Sequence, residues 1–399
     1  MTKNYKCIKI EIKPTNEQIE KINKTIGTGR YLYNLYIAYN KQIYEKDNRF
    51  VTGFEFSKYI NNVYLNENPD KKWIKDVSSK ANKQSIMNAE KAFKRFFNKL
   101  SDFPKYKKKT SPVQSCYFPK NSKTDFEFYR HKIKIPTLKF VRLKEYGYIP
   151  KNADIKSGTI IKTAGKYFLS LIIDISNINI KINSNYNDDK NKSSSVFGLG
   201  IDLGIKNFAI CSSGKVFKNI NMSNRVIKIE KRLKRQQRKL SKKYLSCKNL
   251  KKKLGESKNF QKQKLKISKT FYKLNCIRTD YINKVVNEIT KTKLKYITIE
   301  DLKVSDMIKN KYLSKAILNQ NFYKFKIKLI EKCKEHNIEL RMVDKFFSSS
   351  KTCSCCGNIK KDLKLNDRIY KCCKCGLELD RDFNASVNLK NASVYTILT

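Results

Sequence analysis

Two C-x-x-C pairs are the most explicit chemistry in the chain. Cys353-x2-Cys356 and Cys372-x2-Cys375 stand with fifteen residues between the pairs, and a glycine follows each one (Gly357, Gly376). Each pair lets a tight turn direct two thiolates at one tetrahedral ion, with glycine where such a turn needs positive φ. The spacing predicts a zinc ribbon with one structural Zn2+. Cys355 and Cys373 lie inside the motifs and leave a choice of register, although only 353/356 and 372/375 give an x2 spacing on both sides. Disulfides would need an oxidising compartment, and the start MTKNYKCIKI offers no apolar export segment. Cys7, Cys116, Cys211, Cys247, Cys276 and Cys333 are scattered singly and read as reduced thiols.

Carboxylates are the second resource. Seven residues past Cys375 comes Asp382, within Asp380-Arg381-Asp382-Phe383-Asn384-Ala385. Upstream, Asp202 interrupts the apolar run VFGLGIDLGIKNFAICS at 196–212. An ionised aspartate in a buried strand costs several kcal/mol, of order 2–7 for polar groups in general, unless a cation or donor meets it; capping a turn is the other reading. The strand-like KYITIEDL at 295–302 ends on Glu300 and Asp301. Asp202, Glu300 and Asp382 lie 98 and 82 residues apart, so only a fold can gather them. Such a trio suits two Mg2+ ions about 4 Å apart, one activating water and the other stabilising the leaving 3′ oxygen of a phosphodiester.

The charge balance names the partner class. Eighty-seven Lys and Arg against 35 Asp and Glu give a net charge of +52, a field that draws polyanions, and 23 Tyr and 22 Phe offer faces for bases. Residues 225–269 hold nineteen basic and two acidic side chains. There Lys231, Arg232, Arg235, Arg238 and Lys242 are candidate phosphate contacts, a merely solvated helix face being the alternative. The basic turn FPKYKKK at 103–109 adds Lys105, Tyr106 and Lys107. No run of eighteen apolar residues exists to span a membrane.

These residues need elements to hold them, and 399 residues suffice for two or three domains. YKCIKIEIK at 5–13 alternates as a strand that Pro14 stops, and Thr15-x-x-Gln18 is a capping box that starts a helix. A second helical run is expected after Gly27 and Gly29, and a third helix around Asn82–Leu100. Short strands follow at 126–129, 132–135, 159–162 and 167–173, with Ala164-Gly165 as a hairpin signal, and suggest a small β-barrel. NSNYNDDKNKSSS at 183–195 has the composition of a linker. Beyond it, strand with Asp202, hairpin, basic helix, strand with Glu300, helix at 320–336, strand at 338–343 and helix with Asp382 is the order of an RNase H-like α/β domain.

Gly200-Ile-Asp-Leu-Gly, Ile299-Glu-Asp-Leu and Asp380-Arg-Asp-Phe-Asn-Ala-Ser around the cysteine quartet resemble TnpB. That family comprises transposon-encoded RNA-guided nucleases with a split RuvC domain, akin to miniature type V CRISPR effectors. SSSKTC at 348–353, the Ala89–Phe97 helix and RYLYN at 30–34 share the resemblance. It implies a multidomain α/β protein: a first wedge strand at 1–14, a helical recognition subdomain at 15–100 and a wedge β-barrel at 101–182. After the linker at 183–195 come a RuvC nuclease at 196–350 with its basic helical segment at 225–290, the zinc ribbon at 351–378, and the third RuvC motif with a tail at 379–399. Asp202, Glu300 and Asp382 match the family's catalytic carboxylates, with Asp382 preferred to Asp380 because the family's aspartate stands two before the Asn, here Asn384. Asn283 stands where relatives often carry His.

The resemblance further implies two catalytic Mg2+ ions, one Zn2+, a noncoding guide RNA from the transposon end, and double-stranded DNA cut beside a short transposon-adjacent motif. It places the enzyme in a prokaryotic cytoplasm, on the nucleoid. A miniature type V CRISPR effector, a DNA-joining transposase and a nuclease-dead RNA-guided repressor are the competing readings. An extra N-terminal zinc finger, found in some effectors, is absent, since Cys7 and Cys116 are the only cysteines before residue 200. Monomer or dimer stays open.

Overall fold

The computed structural model describes residues 5–120, 122–174, 176, 198–251, 254–292, 294–344, 346–364 and 367–399. The chain forms two units, 1–186 and 187–399. The expected linker at 183–195 lies outside the described residues.

In the first unit, strand β1 (Tyr5–Lys13) buries Ile8, Ile10 and Ile12 and turns its lysines outward. The capping box forms: Thr15 accepts from the backbone N–H of Gln18 and donates its own N–H to the Gln18 side chain at 3.0 Å. Helix α1 (Asn16–Asp47) then runs 32 residues unbroken. The expected break at Gly27 and Gly29 does not occur. A Cβ on Gly29 would stand 2.6 Å from Ser85 Oγ, so that glycine serves the close approach of two helices. Helices α2 (Gly53–Tyr59), α3 (Leu65–Glu67) and α4 (Ser79–Phe97) pack on α1 around Tyr36, Phe56 and Phe93.

Strands β2 (Val113–Pro119), β3 (Lys132–Ile135), β4 (Lys139–Leu143), β5 (Asp154–Thr163) and β6 (Lys166–Asp174) join β1 in one antiparallel sheet. Among the described residues its order is β2-β5-β6-β1-β4-β3. Ala164 and Gly165 make the β5–β6 turn with φ of 51° and 74°. Residues 126–129 are not the expected strand: Phe126 has φ 62°, and only Phe128 bridges to Ile133.

The second unit is built on a six-stranded mixed sheet, ordered β14-β11-β10-β7-β8-β9 among the described residues. Strands β7 (Gly198–Leu203), β8 (Asn207–Cys211) and β9 (Val216–Lys218) form an antiparallel meander. Helices α5 (Asn224–Asn249) and α6 (Lys258–Thr290) then make a hairpin closed by Val226, Leu233, Ile267 and Leu274. Strand β10 (Tyr296–Glu300), short helices α7 (Val304–Met307) and α8 (Ser314–Gln320), helix α9 (Phe322–His336) and strand β11 (Glu339–Val343) follow. β7, β10 and β11 are parallel neighbours, with α6 and α9 packing against the sheet through Val285, Val286, Phe325 and Leu329. The cysteine segment carries strands β12 (Ile369–Lys371) and β13 (Glu378–Asp380), and helix α10 (Arg381–Lys390) and strand β14 (Thr396–Ile397) complete the unit. Among the described residues no helix is long and apolar enough to cross a membrane.

Candidate active site and cysteine cluster

Parallel register sets the first two carboxylates side by side. β10 pairs with β7 up to Ile299↔Ile201, so Glu300 and Asp202 follow at the same level on neighbouring strands. Side chains alternate along a strand, so both leave the same face at the C-terminal ends of strands about 4.8 Å apart. Asp382 comes from the first turn of α10. That helix lies directly on β7, because Gly200 has no side chain: a Cβ there would sit 1.9 Å from the Ser386 carbonyl oxygen and 2.4 Å from the Lys390 nitrogen.

Asp202 lies in the field of the other two carboxylates. Burial pushes the Asp202 carboxyl up to about 7, with the negative charges of Asp382 and Glu300 adding to the shift and Arg381 opposing it. Burial also raises Glu300, partly offset by Ser349. Arg381 donates to Asp382 Oδ1 from Nε at 3.2 Å and Nη2 at 3.1 Å, and Arg368 Nη1 stands 3.9 Å from Asp382 Oδ2. Neighbouring acids are otherwise employed. Asp380 caps α10, accepting from the N–H groups of Asp382 and Phe383 at 3.0 Å each, and Asp301 pairs with Lys326 at 3.2 Å.

The four expected cysteines converge. Sulfurs of Cys353, Cys356, Cys372 and Cys375 all lie within 4.8 Å of one another. Cys353 and Cys375 are 3.6 Å apart and Cys356 and Cys372 3.5 Å, close to the edge of about 3.8 Å that a tetrahedron with Zn–S near 2.3 Å would have. Gly357 and Gly376 take φ of 72° and 71°, closing two equivalent knuckles. Cys355 and Cys373 are exposed and outside the cluster. Among the described residues this is the one group whose donor atoms converge so tightly; the three carboxylates do not reach that degree. The donor set of the trio still suits a hard cation, since all three residues offer carboxylate oxygens, two from neighbouring strand ends and one from the helix on β7.

Sequence reasoning missed the residues that join these two sites. Asn384 donates to the Thr352 carbonyl at 2.7 Å and accepts from Ser354 N–H at 3.0 Å, fastening α10 to the first knuckle. Asn388 donates to the carbonyls of Ser349 and Thr352 at 2.8 and 2.7 Å. Ser349 Oγ in turn reaches Glu300 Oε1 at 3.4 Å. The SSSKTC segment and Asn384 of the last motif were the available signal; Asn388 lies just past that motif.

Among the candidate nucleic-acid contacts, Lys231, Arg232, Arg235, Arg238 and Lys242 are all exposed on α5. Lys105 and Tyr106 are exposed too, Lys105 standing 3.8 Å from Asp102. Lys107 instead packs its ammonium 3.8 Å over the Tyr33 ring. Asn34 of the RYLYN segment holds the Lys107 backbone from both sides, at 2.8 and 3.0 Å.

Three family descriptions match parts of the chain: "Helix-turn-helix domain" over residues 1–49, "Probable transposase" over 181–311 and "Cas12f1-like, TNB domain" over 322–389. The described part of the first match folds as β1 and the single helix α1. The chain is 27% identical over 402 residues to the "Putative RNA-guided DNA endonuclease InsQ" of Escherichia coli K12, covering 97% of this chain and 92% of that one. A "Putative RNA-guided DNA endonuclease" of Streptomyces pristinaespiralis is 25% identical over 98% of this chain and 89% of its own length. Cas12f1 from an uncultured archaeon is 28% identical over 60% of this chain and 44% of that one. Among solved structures, a Cas12f1 complex with guide RNA and target DNA aligns over 98% of this chain and 100% of that chain, with 19% identity and a TM-score of 0.36. Along nearly its whole length the chain is thus similar to proteins named putative RNA-guided DNA endonucleases, and over 181–311 to a probable transposase family.

Proposed function

We propose that the chain is the RNA-guided DNA endonuclease of an insertion sequence, taking a guide RNA from the transposon end and cutting double-stranded DNA beside a short transposon-adjacent motif. Relatives matched over nearly the full length of both chains carry the name RNA-guided DNA endonuclease. The single observation that carries the chemistry is the placement of Asp202 and Glu300 at the same level on neighbouring parallel strands, with Asp382 in the first turn of the helix laid on β7.

In this reading Asp202, Glu300 and Asp382 hold two Mg2+ ions, which when bound activate water and stabilise the leaving oxygen of the phosphodiester. Asp202, buried at the end of β7, would be the ligand that gains most from a counter-charge. Arg381 and Arg368 hold and orient the Asp382 carboxylate. Asp380 fixes the start of α10 and Asp301 stays with Lys326, so neither is a ligand. One Zn2+ on Cys353, Cys356, Cys372 and Cys375 holds the ribbon, and through Asn384 and Asn388 the end of α10 that bears Asp382. The fold proposed for 196–399 is an RNase H-like, RuvC-type nuclease with an inserted zinc ribbon, preceded by a helical recognition subdomain and a wedge barrel.

The test is cleavage of a plasmid carrying a target matched to the co-purified RNA, in Mg2+ or EDTA, beside a binding assay. Alanine at Asp202, Glu300 or Asp382 abolishes cutting and leaves binding intact, because guide pairing and phosphate contacts hold the substrate regardless. Asp202→Ala combined with Asp382→Ala is no worse than either alone, as for groups acting as one unit. Full cutting by all three single variants would end the nuclease assignment.

A further inference from the structure

The β3–β4 hairpin turns an unusual face to solvent. Its inner side is ordinary core, with Ile133, Val141 and Leu143 buried. The cross-strand pairs Lys132↔Arg142 and Lys134↔Phe140 place basic and aromatic side chains together on the outer side. Three large rings collect there: Tyr129, Phe140 and Tyr146 keep 48, 39 and 59% of their surface exposed. Tyr129 and Phe140 lie 5.7 Å apart, and the Lys132 ammonium stands 4.9 Å from the centre of each. Arg142 bonds the Tyr146 phenol and holds it below the usual tyrosine range. Residues 127–146 carry six basic side chains and two acidic ones.

Exposed rings spaced by cations suit one class of partner. A protein partner would favour an apolar centre with its charges at the rim. Duplex DNA keeps its base faces stacked, whereas a folded RNA offers unpaired bases that aromatic rings can take up beside phosphates held by Lys and Arg. We propose that the outward face of the β3–β4 hairpin is a stacking platform for unpaired bases of an RNA, with Tyr129, Phe140 and Tyr146 meeting the bases and Lys132 and Arg142 the phosphates. This rests on the reading that the chain works with RNA.

The experiment uses the full chain freed of cellular nucleic acid and three labelled 30-mers of one sequence: single-stranded RNA, single-stranded DNA and duplex RNA. Ultraviolet cross-linking and peptide mass spectrometry on the wild type should find ribonucleotide adducts on at least one of the three rings. In 0.5 M salt, where phosphate contacts are suppressed, changing all three rings to Ala should weaken single-stranded RNA binding by about ten-fold or more. Duplex binding should be unchanged, and Tyr129→Phe with Phe140→Tyr and Tyr146→Phe should retain wild-type affinity. RNA binding with no adduct on the rings and no loss in the triple-Ala protein overturns the platform alone. Equal losses for single-stranded DNA, or for duplex, overturn the assignment to unpaired RNA. A wild-type chain that binds no RNA in any arm removes the platform and the RNA-guided reading together.

Discussion

At Asp202, burial and the negative charges of Asp382, Glu300 and Asp380 oppose the same ionisation. Its pKa of about 7 lies above the ordinary 3.8, so the folded chain keeps a proton that the unfolded chain releases. Metal-free stability from this group is therefore fully present below pH about 4 and declines as pH climbs toward 7. Asp202→Asn should abolish cleavage yet raise the melting temperature of the EDTA-treated protein at pH 8, a gain on the order of 2 kcal/mol. Mg2+ should stabilise the wild type and leave the variant unmoved; a variant that melts lower than wild type in EDTA would count against the crowded trio. Asp380→Ala should lose an N-cap worth about 1 kcal/mol and still cut. If that variant is dead while Asp382→Ala cuts, the choice between the two aspartates is reversed. The candidate residues were legible because metal ligands obey spacing and an acid in an apolar strand stands out. Ser349, Asn388 and Arg368 were not, since a serine, an asparagine or an arginine acquires meaning only from the group the fold sets before it.

At the level of elements, α10 is the piece that turns two strand-borne acids into a trio. It can sit on β7 only while residue 200 lacks a side chain. Gly200→Ala should push the helix off the sheet, destabilise the second unit by about 3 kcal/mol or more, as overpacking does, and lose cleavage; a urea titration beside the cutting assay reads both. The first cysteine knuckle and the segment leading into it hold the same helix through Asn384 and Asn388. Cys356→Ser should lose its zinc, measured by metal analysis, and lose cleavage with it, although no cysteine touches the carboxylates. Zinc content equal to wild type would show that the four thiols hold no ion. Hydrophobic period located most elements. It erred at Gly27 and Gly29, where glycine signals a break in isolation but serves a helix–helix approach at Ser85. It also passed over β2 and β4, whose pairing with distant strands decides their state more than their own residues do.

Across the whole molecule, the excess of positive charge sets how it meets nucleic acid. The exposed α5 side chains Lys231, Arg232, Arg235, Arg238 and Lys242 give this a measurable form. Changing all five to Gln should leave the melting temperature within about 1 °C, since exposed surface changes are nearly neutral. The slope of log affinity against log salt should fall by up to about 4, at roughly 0.7–0.9 for each phosphate no longer neutralised. An unchanged slope would assign the phosphates to other surfaces. The charge total was visible before any fold, but its division among faces was not. The path of the chain between Glu300 and α9 has a further consequence. Tyr312 stands 96% exposed in the turn after α7, with Asp202 and Glu300 before it and Asp382 after it. β10 and β11 meet edge to edge across this point, and α6 meets α9. Severed at Tyr312, the protein becomes two fragments, each short of a ligand and each complementary to the other along a sheet edge and a helix face. Genome cutting could then be gated by whatever brings the fragments into one place: a dimerising drug, a light-responsive tether, or two promoters active in the same cell.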